Sequence, residues 1–153
     1  MGSDSFTKAV YIAPPDCRSL RKLLRGTSGQ AFSWAYFGQA IHEFRQSERS
    51  FQHHGNQIDI ARQFHEAGET LREPFLAYLY DIGRDLQSLR WWVSSSSFRN
   101  IHTSKTFHQA CYLKVALDLA RSCESPAPLV LVVSDRPVRS ALKQSLSQDK
   151  EME

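Results

Sequence analysis

The feature that most constrains this chain is an apolar run in its final third, Pro128-Leu129-Val130-Leu131-Val132-Val133, which breaks at Ser134-Asp135 before Arg136-Pro137-Val138. A run without polar alternation, rich in β-branched residues, is the mark of a strand buried on both faces, as in a parallel sheet covered by helices. A strand that hands over abruptly to a capped helix is the building unit of an α/β fold. One other segment has the same character: Lys8-Ala9-Val10-Tyr11-Ile12-Ala13, short, apolar and closed by Pro14-Pro15, which forbid its continuation. The two are expected to be neighbouring parallel strands, with the intervening chain forming a right-handed crossover. Two parallel strands alone are too small a sheet to bury both faces. The expectation is therefore α/β, a partial Rossmann-like parallel sheet over residues 1–147, either the front of a larger protein or a domain that borrows structure and self-associates when alone.

Between these strands the chain looks helical. Asp16 can cap a helix carrying Leu20, Leu23 and Leu24, which Gly26 is placed to end. Arg18, Arg21, Lys22 and Arg25 recur at helical spacing on its other side, a basic stripe that is either a solvated face or an anion site. After a Gly and Ser loop, Phe32, Trp34, Tyr36, Phe37, Ile41 and Phe44 are assigned to an aromatic helix whose rings fill a core. From Ile58 to Leu89 the apolar positions repeat every three or four residues, which predicts one long amphipathic helix, or two end to end with Pro74 kinking or restarting it. Ser104 can cap a further helix holding Phe107, Cys111, Val115 and Ala120. The expected order is β, a large helical insertion over about residues 30–121, β, α, with a charged, frayed tail at 148–153.

Composition narrows the class without naming a reaction. A chain of 153 residues, 41% hydrophobic and 11% aromatic, can build a core. Its net charge of +3, with basic residues scattered among acidic ones, does not call for nucleic acid as a partner. Cys17, Cys111 and Cys123 are too few and too far apart for a disulfide framework or a paired-cysteine zinc site, which suits reduced thiols in the cytoplasm. No run approaches the roughly 18 apolar residues that a membrane span needs, and the polar first residues do not resemble a signal peptide.

The chemical motifs are sparse. His53-His54 with His65 and Glu66 lack the spacing that turns two imidazoles toward one metal, so loop histidines and no metal are expected. No GxGxxG, GxxxxGK[ST] or GxSxG occurs, which leaves no phosphate cradle, no nucleophile elbow and no expected cofactor. Trp91-Trp92 beside four serines, Ser94 to Ser97, offers indole faces that can stack on sugar or base rings next to hydroxyls that bond their edges. The same residues can equally close a core and form a connection. Asp135 lies at the carboxyl end of the expected strand, where open α/β sheets place ligand crevices; there it can accept from a ribose or sugar hydroxyl, or cap the next helix.

Taken as one block, Tyr80-Asp81-Ile82-Gly83, Ser88-Leu89-Arg90-Trp91-Trp92-Val93 with Ser94 to Ser97 and Phe98-Arg99-Asn100, then Ser104 to Leu119 and the strand Leu129 to Val133, resembles the N-terminal region of a bacterial surface-carbohydrate biosynthesis family. In that family an aromatic pair, a Ser/Thr-rich segment, a basic-Asn step and a downstream Ser lead into a helix and a Rossmann-like strand. Arg99 departs from the lysine more usual there. The resemblance covers about the second half of the chain. It implies the acceptor-side half of a two-Rossmann-domain glycosyltransferase for surface polysaccharide, inactive without its donor-binding domain. On this reading carbohydrate or nucleotide-sugar would meet Trp92 as a stacking platform, with Ser95, Arg99, Asn100 and Asp135 as polar partners; the catalytic residues stay unassigned. The competing class is a non-catalytic α/β module that docks a protein partner through its aromatic helices.

Overall fold

The computed structural model describes residues 9–26, 31–86, 88, 91, 104–122 and 127–151. They form an α/β fold whose sheet has four strands, all parallel: β1 (Val10–Ala13), β2 (Phe32–Phe37), β3 (Gly55–Gln57) and β4 (Leu129–Val133), in the order β1-β4-β2-β3. The helices are α1 (Cys17–Gly26), α2 (Ile41–Phe51), α3 (Ala61–Leu86), α4 (Lys105–Ser122) and α5 (Arg136–Glu151). The chain divides into two compact units, one from Met1–Ile60 and Ala116–Glu153 that holds the sheet, the other from Ala61–Val115.

In the sheet unit, β1 and β4 are parallel neighbours, with Val10 opposite Leu129 and Ala13 opposite Val132. β4 is central: its other side pairs with β2, Ser33 against Leu129 through Phe37 against Val133. All five β4 residues are buried, which is why the sequence there has no polar alternation. Both edge strands are short, and short edges limit pairing with foreign strands.

The aromatic segment starting at Phe32 is not a helix, as its sequence suggests, but strand β2 followed by helix α2. Phe32, Trp34 and Tyr36 alternate onto one face of the sheet. The spacing of Phe37, Ile41 and Phe44, four then three residues, imitates a helical face only because strand, turn and helix follow one another closely. β3 supplies a further strand from Gly-Asn-Gln, which carries no strand propensity at all. Gly55 has a packing role there: a Cβ would come within 2.6 Å of Phe32 Cε2 and 2.8 Å of Trp34 Cδ1. The sheet thus has the third and fourth strands that the sequence reading lacked, and the helical insertion is narrower, α3 and α4 between β3 and β4.

The crossovers explain the layering. The chain steps outward from β1 to β2 to β3, and right-handed connections put both helices of that path on one face. There Leu20 of α1 and Phe51 of α2 pack with Ala13, Phe32, Trp34, Val130 and Val132. Leu129, Leu131 and Val133 alternate to the other face together with Ala35 and Phe37, and every one of them is buried. α5 packs along β1 and β4 with Val138 and Leu142 buried, and contributes nothing to the α1/α2 cluster. It therefore covers the opposite face. Helix α5 also runs through residues read from sequence as a frayed tail, and Asp149 forms a two-pronged ion pair with Arg121 at 3.0–3.3 Å.

Local starts follow the sequence. Asp16 Oδ1 accepts from the Ser19 backbone N–H at 2.8 Å, and that hydrogen bond holds the Asp16 carboxyl below its ordinary range. Ser104, buried, accepts from Phe107 N–H at 3.2 Å and caps α4. In the other unit, α3 continues through Pro74 without a restart. Phe64 lies tilted against Tyr112 at 4.8 Å and Phe75 meets Phe107 edge-on at 5.1 Å. Among the described residues no helix is long and apolar enough to cross a membrane.

Candidate functional site at the carboxyl edge of the sheet

β2 and β4 are adjacent and parallel, yet the chain leaving β2 enters α2 on one face while the chain leaving β4 enters α5 on the other. Connections that part in this way mark the topological switch point of the sheet, the usual ligand position in open α/β folds. Here the two strand ends are joined by a polar network. Glu43, on the first turn of α2, uses Oε2 to accept from the Ser134 hydroxyl at 2.5 Å and from the Tyr36 hydroxyl at 3.0 Å. The Tyr36 oxygen also lies 3.1 Å from the Ala40 carbonyl, a second acceptor for its proton. Ser134 N–H donates to Phe37 carbonyl at 2.9 Å, extending the ladder one step beyond the strands. Arg139 reaches back from α5 and donates to the carbonyls of Val133 and Ser134 at 2.6 and 2.7 Å.

Backbone approach is close at this point. A Cβ on Gly38 would fall 2.5 Å from the Tyr36 hydroxyl and 2.7 Å from Ser134 Cβ, so the turn after β2 requires glycine. The network locks the end of β2 to the end of β4.

Burial, reinforced by the hydrogen bond and the charge of Glu43, raises the Tyr36 phenol well above its ordinary value of 10.0. The fold thus favours the neutral phenol. A group whose folded pKa is raised gives its full stabilisation below its unfolded pKa and loses it as pH climbs toward the folded value. The protein should consequently lose stability above about pH 10 through Tyr36. Tyr36→Phe should flatten that alkaline decline and remove one late step from the phenolate absorbance titration. An unchanged alkaline stability curve in the variant would contradict the assignment.

Of the residues singled out from sequence, Asp135 is at this edge. It is half-buried, immediately precedes α5, and its carbonyl accepts from Arg139 N–H at 3.0 Å, the backbone position of a helix cap. Trp92, Ser95, Arg99 and Asn100 lie outside the described residues. His53 and His54 fall in the exposed turn after α2, His65 is exposed on α3, and Glu66 pairs with Arg62 at 2.8 Å. Among the described residues no group of three His, Cys, Asp or Glu is placed to hold a metal. Sequence reasoning missed Glu43, Tyr36 and Ser134 as a set, because nothing in a linear string relates residues that meet only once β2 lies beside β4.

This geometry defines the class as an all-parallel α/β domain with a polar network at the carboxyl edge of its central strands. Compared with known proteins, the chain matches no protein-family model, no curated protein and no solved structure.

Proposed function

We propose that this chain is the N-terminal, acceptor-side part of a glycosyltransferase-like protein of surface polysaccharide biosynthesis, acting in the cytoplasm. The observation that carries the reading is the switch point between β2 and β4, where the chain leaves for opposite faces of the sheet, with the half-buried Asp135 directly after β4. A carboxylate at that edge can accept from sugar or ribose hydroxyls. The resemblance of the segment containing Trp92, Ser95, Arg99 and Asn100 adds a stacking ring and polar partners, the pairing that carbohydrate recognition uses. In this reading the network of Glu43, Tyr36 and Ser134 positions the loop ends and does not touch the sugar, since its hydroxyls are already engaged.

The test uses the longest natural form of the protein. Trp92→Ala, Arg99→Ala and Asp135→Asn are compared with wild type for polysaccharide formation and for binding of a panel of nucleotide-sugars, with folding followed by circular dichroism. Each of the first two should retain the fold and weaken binding or product formation by about tenfold or more, the size expected when a stacking or charge-assisted contact is removed. Normal function in both well-folded variants would remove this segment from the site. It would favour the competing interaction module, which draws on the exposed Tyr78, Tyr80 and Leu86 of α3.

A further inference from the structure

On the α1/α2 side of the sheet unit, the two helices flank a groove of about 790 Å³, lined among others by Cys17, Arg21, Leu24, His42, Arg45 and Arg49. Three guanidinium groups from two different helices line one concavity. α1 contains no acidic residue, and its exposed face carries Arg18, Arg21, Lys22 and Arg25. α2 has two acids. Glu43 is turned into the Tyr36 and Ser134 network, and Glu48 pairs with Arg45 at 3.0 Å. Among the described residues, Arg21 and Arg49 have no carboxylate within ion-pair distance.

This concentration runs against what helices prefer by themselves. Arg18 with Lys22, Arg21 with Arg25, and Arg45 with Arg49 are like-charged pairs four residues apart, each unfavourable on an isolated helix. Ordinary exposed arginines gain little from neighbours and would be expected to spread out. The groove walls are also fixed in place: the Gln46 side-chain amide on α2 donates to the Pro15 carbonyl before α1 at 2.9 Å, and Leu20 and Phe51 join the helices beneath. A rigid concavity of small-molecule size, with forked donors on two walls and an apolar patch at Leu24, matches the planar oxygen pairs of phosphate groups.

We propose that the groove between α1 and α2 binds a soluble phosphoanion of the diphosphate class, held by Arg21 and Arg49 with Arg45 sharing its charge between the ligand and Glu48. Forked donors on both walls of the groove match a ligand that carries two adjacent phosphates. A concave wall also suits a discrete ligand better than a planar membrane. The inference stands on these residues alone and does not rest on the carbohydrate reading.

Cys17 makes the groove testable, because it lines the groove and is exposed. Cys111 is buried, with its thiol pushed up to about 11 by desolvation, so it stays unreactive. In the full chain carrying Cys123→Ser, the rate of Cys17 alkylation by iodoacetamide is measured against inorganic pyrophosphate at constant ionic strength, alongside calorimetric titration. Pyrophosphate should slow labelling several-fold and saturably. In an Arg21→Ala/Arg49→Ala variant the apparent affinity should fall at least ~10-fold, as expected for loss of charge-assisted forked contacts. Arg62→Ala on α3 should leave it unchanged. The proposal is overturned if millimolar pyrophosphate gives no protection, or if the double variant is protected like wild type. It is likewise overturned if only vesicles containing anionic phospholipid protect the thiol, which would assign the face to a membrane surface.

Discussion

Val132→Asp should abolish cooperative folding. Val132 has no exposed surface, lies in the central strand, and is flanked by Ala13 on one side and Tyr36 on the other. Its side chain points into the cluster that joins Leu20, Trp34 and Phe51. No cationic residue belongs to that cluster, so the new carboxylate would be both desolvated and unpaired. An uncompensated buried charge costs several kcal/mol, while a domain's whole stability is about 5–15 kcal/mol. The expected result is a chain without a sharp thermal transition by circular dichroism, expressed mainly as insoluble protein. Val132→Thr separates charge from polarity: nearly the same volume with one hydroxyl should lower the melting midpoint but preserve the transition, since an unsatisfied hydroxyl costs about 1–3 kcal/mol. A Val132→Asp protein with the wild-type melting curve would mean that β4 is not buried on this face.

What the sequence exposes and what it hides divide along a physical line. β4 is legible because burial on both faces leaves a mark at every position. α1 and α4 are legible because Asp16 and Ser104 act on backbone N–H groups within three residues of themselves. Such effects are local in the chain. β2 is misleading for the opposite reason: Phe32, Trp34 and Tyr36 alternate on the sheet, but the aromatic series runs on through a three-residue turn into α2, and the merged pattern suits a helix as well as it suits a strand. β3 is invisible. Its place is set by Gly55 tolerating the rings of Phe32 and Trp34 and by pairing with β2, and neither cause is a property of Gly-Asn-Gln itself. The candidate site inherits this limit. Ser134 meets Glu43 across 91 positions of sequence, and the meeting depends on two crossovers and on the strand assignment that the aromatic pattern obscured. The α1 half of the basic groove could be read from spacing, whereas its α2 half appears only when helix α2 is separated from strand β2.

That separation makes opposite demands on two apolar residues at the ends of α2, and the demands can be measured. Phe51 is fully buried, with its ring edge-on to Phe32 at 5.2 Å and tilted against Trp34 at 5.3 Å. Ile41, at the other end of the same helix, is 73% exposed. Phe51→Ala should cost about 3–5 kcal/mol, the transfer of a ring plus the cavity it leaves between rigid aromatic neighbours. Phe51→Leu should cost less, because it refills part of that space while still losing ring pairs worth roughly 0.5–1.5 kcal/mol each. Ile41→Ala should stay within about 0.5 kcal/mol of wild type, as surface substitutions do. Denaturant titration of the three variants gives the comparison directly, provided the slope of the transition is unchanged and the midpoint alone reports stability. Similar costs at Phe51 and Ile41 would contradict the packing of α2, whose end at Phe51 closes over the rings of Phe32 and Trp34 while its start at Ile41 stands exposed.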